Sequence, residues 1–390
     1  MSKNSIPAVR FCDFSDNWES KKIGDLGSVS MNKRIFKDET SETGEVPFYK
    51  IGTFGSEPDS FITREKFEEY KSKYPYPEIG DILISASGSI GRTVEYHGEE
   101  AYFQDSNIVW LKHDERLNNS FLKQFYSIVK WEGIEGTTIK RLYNKNILET
   151  PISFPSPAEQ SAIGTLFRTL DDLLSSYKDN LANYQSLKAT MLSKMFPKAG
   201  QTVPEIRLDG FEGEWEEKEF IQIVNRVTES SDSDSLPKVE FEDIISGQGK
   251  LNKDISSKFD NRKGILFKPG YTLYGKLRPY LNNWLLPKFE GVALGDFWVF
   301  DPNGNNSDFI YYLVQSSRYQ KVANDTSGTK MPRSDWKSVS TTIFAIPQTI
   351  AEKQAIGAYF SNLDNLINSH QEKISQLEIL KKKFLQDMFI

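Results

Sequence analysis

The sequence predicts an α+β protein written twice: two mixed α/β globular domains alternate with two long helices, which pair as an antiparallel coiled coil with a pseudo-two-fold internal repeat. Three observations carry this. Residues 156–196 and 349–389 align without a gap at a constant offset of 193, sharing Ala158/Ala351, Glu159/Glu352, Ile163/Ile356, Gly164/Gly357, Leu170/Leu363, Asp171/Asp364 and a Met-Phe ending. An ungapped match of this length marks two copies of one structural unit. Both copies open on a helix start signal, Ser156-Pro157-Ala158-Glu159 and Thr349-Ile350-Ala351-Glu352, with a hydroxyl cap and a Glu three residues on. Between them lie short β-rich runs broken by Gly, Pro and Asn, at 81–86, 107–111, 271–275 and 297–300.

In chain order this gives a lead-in segment and first globular domain over 1–155, and a capped helix over 156–197. A linker, second lead-in and second globular domain cover 198–348, and a capped helix covers 349–390. The lead-ins repeat as Pro7-Ala8-Val9-Arg10 through Trp18 and Pro204-Glu205-Ile206-Arg207 through Trp215. The domains carry helical stretches at 121–131 and 308–320, and Ser230–Ser235 reads as a polar loop. About 39 residues per long helix make a rod of about 60 Å. Its apolar stripe runs through Ile163, Leu166, Leu170, Leu173, Tyr184 and Leu187, and in the second copy through Ile356, Leu363, Leu366, Leu377 and Leu380. Each stripe turns polar near its middle, at Asn180 and at His370 and Lys373, where the seam shifts by one residue. A helix packed on its own domain is the plainer reading of such a stripe. The narrow seam and polar remainder favour pairing of the two helices.

With 48 Lys and Arg against 54 Asp and Glu, the net charge of −6 excludes a uniformly basic coat. Any nucleic-acid contact must rest on local positive charge or on a partner's. One cysteine, Cys12, leaves no internal disulfide framework and fits a reducing cytoplasm. No apolar run reaches the length of a membrane span. The sequence carries no recognisable catalytic motif. Gly270 through Lys276 nearly fits a phosphate-binding loop, but Leu277 stands where Ser or Thr must hold the metal. Asp301-Pro302-Asn303-Gly304 is a turn sequence. His97, His113 and His370 are scattered and have no Cys neighbours, so no metal site is expected. What recurs in both halves is basic loops: Arg92, then Lys140, Arg141 and Lys145, in the first; Lys276, Arg278, Lys330 and Arg333 in the second. Arg and Lys on Gly-containing loops can reach phosphates and guanine edges. For any one of these residues, solvated surface charge is the commoner role; the recurrence raises the odds of a shared use.

The Ala-Glu-x-x-Ala-Ile-Gly helix opening at 158–164 and 351–357, the Leu-Asp pairs at 170–171 and 363–364, the duplicated lead-ins and the Gly275–Tyr280 and Gly328–Pro332 landmarks resemble the specificity subunit of type I restriction-modification systems. That resemblance implies a non-catalytic, sequence-specific DNA-binding subunit of a methyltransferase/endonuclease complex. Two target-recognition domains each read one half of an asymmetric split site, and the coiled coil acts as ruler between the halves. It implies double-stranded DNA and two copies of a methyltransferase subunit as partners, with a restriction translocase as a further one. S-adenosylmethionine belongs to the methyltransferase partner, no cofactor to this chain, and the location is the bacterial or archaeal cytoplasm at the nucleoid. Two other readings stay open: an orphan or phase-variable specificity subunit of a methylation-only system, and a coiled-coil adapter that binds no DNA.

Overall fold

The computed structural model describes residues 6–136, 140–258, 261–325 and 331–389. It divides into two units, Met1–Tyr177 with Lys373–Ile390, and Lys178–Glu372. Helices α1 (Arg64–Lys73), α2 (Asn119–Ile128) and α3 (Asn144–Glu149) belong to the first unit. So do the opening of α4 (Pro157–Lys194) and, as described below, the final turns of the last helix. The second unit holds the rest of α4, then α5 (Phe220–Ile223), α6 (Ser307–Leu313), α7 (Ser317–Ala323), α8 (Trp336–Ser340) and the opening of α9 (Ile350–Asp387).

The units share one antiparallel four-stranded sheet design. In the first the strand order is Gly27–Ser30, Ile108–His113, Ile82–Ser85, Thr93–Glu95; in the second it is Asn225–Val227, Phe297–Asp301, Thr272–Gly275, Trp284–Leu285. Ser85 pairs with Ile108 as Gly275 pairs with Phe297, so even the register repeats. The central strands are buried on both faces (Ile82, Leu83, Ile84; Leu273, Tyr274), which explains their unbroken apolar runs. A two-stranded ribbon closes each unit, Glu19–Lys22 with Pro151–Phe154 and Glu216–Glu219 with Ile343–Ile346. Two expectations change. The 308–320 helix is two helices, because Ser316 caps a fresh start by accepting from the Tyr319 amide at 3.3 Å. Ser230–Ser231 is a strand paired with Ile265 and Gly264.

The long helices start as their sequences demand. Ser156 Oγ accepts from the Glu159 amide at 3.4 Å, and Thr349 Oγ1 from the Glu352 amide at 3.3 Å. The glutamates do not fold back on the cap. Glu159, 1% exposed, takes Arg10 through two bonds of 2.7 Å. Glu352 takes Arg207 at 2.7 and 2.9 Å and the Trp215 indole N–H at 3.0 Å. Each lead-in is thus latched to its helix by a buried ion pair. The glycine of the motif also has a steric reason. A Cβ at Gly357 would sit 2.7 Å from Asn306 Oδ1 and 3.1 Å from the Phe309 nitrogen, and one at Gly164 would overlap Ser120 Oγ. The start of α6 or α2 therefore lies directly on the helix backbone.

In both units the two long helices run antiparallel. Within the first, Lys381 pairs with Asp171; within the second, Lys188 pairs with Asp364 at 2.7 Å. Phe389 stacks on Phe121 at 5.2 Å, and Phe196 on Phe360 at 6.1 Å. The seam differs from the expected stripe. Leu173, Leu187, Leu366 and Leu380 are 38–43% exposed, and Leu174 and Ile367 are buried in place of Leu173 and Leu366. The positions facing inward are 163, 167, 170, 174, 177, 181, 184 and 188, and the same eight plus 193 in α9. Their spacing alternates four and three without interruption. The shift expected at Asn180 disappears once Leu174 holds the seam. Lys188 and Lys381 occupy seam positions as the cationic halves of the two ion pairs.

Candidate nucleic-acid interface

The end of the central strand in each sheet delivers a loop, and a later segment pins it. In the first unit the Ala86 amide donates to the Asn107 carbonyl at 2.7 Å. Gly88 N donates to Lys140 O at 3.1 Å, and Leu142 N to Ala86 O at 2.8 Å. In the second unit Lys276 N donates to Asp296 O at 2.9 Å, Arg278 N to Pro332 O at 2.7 Å, and Ser334 N to Lys276 O at 2.9 Å. The two frames match bond for bond: Ala86 corresponds to Lys276, Gly88 to Arg278, Asn107 to Asp296 and Arg141 to Arg333. Ser87 bridges Arg141 as Leu277 bridges Arg333. Even the left-handed turn before the next strand repeats, with φ of +40° at Ser106 and +87° at Gly295.

The frame brings together most of the basic residues singled out in sequence. Lys140 and Arg141 lie exposed against the 86–88 loop, and Lys276, Arg278 and Arg333 share one loop cluster. Arg92 is exposed, and its guanidinium donates to the Phe54 carbonyl at 2.7 Å. Lys145 stands on α3, 3.9 Å from Glu149 of the same helix. Lys330 lies outside the described residues. The cations of the second unit are unequal. Arg333 donates to Asp296 at 3.1–3.4 Å, and Lys276 Nζ lies 3.6 Å from the same carboxylate. Lys276 therefore serves as an ion-pair partner, which also ends its phosphate-loop reading.

Sequence reasoning passed over the residues that occupy the middle of each frame. Asn107 accepts from Ser87 Oγ at 2.8 Å, and Asp296 gathers two cations. Their signal was a polar residue placed just before the apolar strand run in both halves. Beside the second frame, Glu240, Arg262, Lys263, Leu277 and Asp296 line a cleft of about 760 Å³. Hydrogen bonds from Arg262 and Lys258 hold the Glu240 carboxyl below its ordinary value. Burial opposes ionisation of Asp243, yet bonds from Lys253 and Lys258 keep its carboxyl low as well. Among the described residues no His, Cys, Asp and Glu cluster could hold a metal ion, and no helix is long and apolar enough to cross a membrane.

The same design displayed twice is what comparison with known proteins also finds. The sequence matches the type I restriction modification DNA specificity domain over residues 15–183 and again over 215–379. The chain belongs to this family. Its two matched regions each cover one loop frame and the larger part of the long helix that follows it. Over 161 residues it is 53% identical to a putative type I restriction enzyme specificity subunit of Haemophilus influenzae. That stretch covers 41% of this chain and 42% of that protein, less than half of the relative's length. The type I restriction enzyme EcoDI specificity subunit of Escherichia coli is 18% identical over 94% of this chain and 88% of its own. In fold, the chain resembles the S subunit of a type I restriction-modification system from M. genitalium, with a TM-score of 0.61, 15% identity and 99% of both chains covered. A chain from a study of complex assembly and conformational transition in the type I system gives 0.53 at 12% identity, covering 95% of this chain and 97% of that one.

Proposed function

We propose that this chain is the DNA-reading subunit of a type I restriction-modification assembly and has no catalytic centre of its own. The observation that carries the proposal is one hydrogen-bonded loop frame presented twice with different side chains, Ala86-Ser87-Gly88 with Asn107 in one unit and Lys276-Leu277-Arg278 with Asp296 in the other. A common frame with different readers suits two unlike half-sites, each entered from the major groove. Linking two readers turns weak contacts into one tight, spacing-dependent binder. The long helices, each contributing to both units, would set that spacing. Methyltransferase subunits would supply S-adenosylmethionine, the adenine-methylating chemistry and much of the phosphate neutralisation that a chain of charge −6 lacks. The setting would be the bacterial or archaeal cytoplasm.

The test is to co-express the chain with its methyltransferase and map N6-methyladenine across the host genome. A single asymmetric bipartite motif is the expected result; no motif refutes the proposal. The uninterrupted seam adds a spacing test. One heptad inserted after residue 177 and another after residue 370 preserves seam and pairing and adds about 10 Å of helix. The half-sites should stay and the gap widen by about three base pairs at 3.4 Å each.

A further inference from the structure

Arg278 stands apart from every other cation in its loop cluster. Lys276 and Arg333 converge on Asp296, whereas among the described residues the Arg278 guanidinium has no hydrogen-bond or ion-pair partner. Its backbone is fixed on both sides. The amide donates to Pro332 O at 2.7 Å, the carbonyl accepts from Leu281 N at 2.8 Å, and buried Pro279 follows. It sits in the left-handed region, φ 48° and ψ 62°. In the first unit the same frame position has φ 65° and is occupied by a glycine, Gly88. Glycine is the residue this backbone favours, and a long side chain there persists only where the surroundings enforce it.

We infer that Arg278 reads a guanine in the half-site of the second unit, rather than contacting a phosphate. The inference rests on the proposal that the chain reads DNA. Three features separate base reading from phosphate binding. The Cα is pinned, so the guanidinium fork is aimed from a fixed base, as bidentate contact with guanine O6 and N7 requires and a phosphate does not. The carboxylate of Asp296, in the middle of the same cluster, is occupied by Lys276 and Arg333, so among the described residues Arg278 alone of the three cations keeps its donors for a base edge. Two residues on, Tyr280 is 58% exposed and carries a hydroxyl able to donate to or accept from a base edge. Lys276 and Arg333 are then positioning residues that hold the loop through Asp296. The first unit, with Gly88 at this place, reads its half-site without a guanidinium from this position.

The experiment selects bound sequences from a random duplex pool, using the full chain in complex with its methyltransferase subunit, for wild type, Arg278→Gly and Arg278→Gln. Arg278→Gly installs the first unit's residue and relieves the backbone, so thermal unfolding should be unchanged. Wild type should yield a bipartite consensus. In Arg278→Gly one guanine of one half-site should lose its preference by roughly ten- to a hundredfold, with all other positions intact. Arg278→Gln should move that position towards adenine, which glutamine reads through N6 and N7. An unchanged consensus in both variants overturns the inference while leaving DNA reading in place. So does equal weakening on all sequences with a shallower salt dependence, the mark of a lost phosphate contact. No consensus from wild type removes the DNA-reading function and this assignment together.

Discussion

Gln160 and Lys353 occupy equivalent places in the two long helices and meet different fates. Gln160 is fully buried; it accepts from the Asn118 amide at 2.9 Å and donates to the Arg116 and Pro155 carbonyls at 2.8 Å. Lys353 is buried with its ammonium 2.6 Å from Asn305 Oδ1, and burial, reinforced by Lys218, pulls its pKa below the ordinary 10.5. A base whose folded pKa is depressed opposes folding while protonated. The penalty holds in full below the folded pKa, fades as pH rises from there towards the unfolded value, and is gone above it. Lys353→Gln should therefore stabilise the second unit at pH 7 by about 1 kcal/mol, with the gain shrinking above about pH 10. Urea denaturation at pH 7 and 10.5 checks this, and a loss of stability at pH 7 contradicts it. At this scale the sequence was half legible. The caps at Ser156 and Thr349 could be read because a capping hydroxyl meets an amide three residues away. The burial of Glu159 and Glu352 could not, because their arginines lie 149 and 145 positions distant.

At the scale of elements, the difficulty was phase rather than period. Adjacent apolar residues (Leu173–Leu174 and Leu366–Ile367) satisfy a heptad equally well when only apolarity is counted. Choosing the first of each pair forces an apparent drift at Asn180. The second pairs with Tyr177, Leu181 and Tyr184 in an unbroken alternation. A search for apolar residues also passes over Lys188 and Lys381, whose ion pairs with Asp364 and Asp171 place charge inside the seam. The register is thus set by paired charges as well as by volume. The two choices separate cleanly by mutation. Leu174→Ala empties a site that is 8% exposed and should cost about 2–3 kcal/mol. Leu173→Ala trims a side chain that is 42% exposed and should cost less than about 1 kcal/mol. Equal losses in denaturant unfolding would restore the original stripe.

Across the whole molecule, the repeat was legible because the helices align at a constant offset of 193. The loop frame was legible only as a recurrence of basic residues. Most of its bonds join positions more than fifty residues apart, such as Arg278 and Pro332, and its central Asp296 and Asn107 carry no motif. The repeat has one further consequence for how the chain closes. In the second unit the lead-in follows its helix directly in sequence, and Ile206 N donates to Lys194 O at 3.0 Å. In the first unit the same bond, Val9 N to Asp387 O at 2.9 Å, joins a lead-in and a helix end from opposite parts of the chain. Phe389 holds that junction by packing on Trp18 at 6.2 Å and Phe167 at 6.3 Å. The first unit's junction is therefore held by this backbone bond and by packing, where the second also has residues 197–203 as a covalent link. Exchanging these roles should be tolerated. A permuted chain that starts at Pro204, joins Phe389 to Pro7 through a copy of residues 197–203, and ends at Phe196 keeps every strand, cap and seam contact. Its melting temperature should lie within about 5 °C of the parent's, since for bodies of this size 1 kcal/mol moves it by about 2–4 °C. Collapse to an aggregating or partly folded chain would show that the covalent linker, rather than the aromatic and backbone contacts at the helix ends, is what holds each lead-in in place.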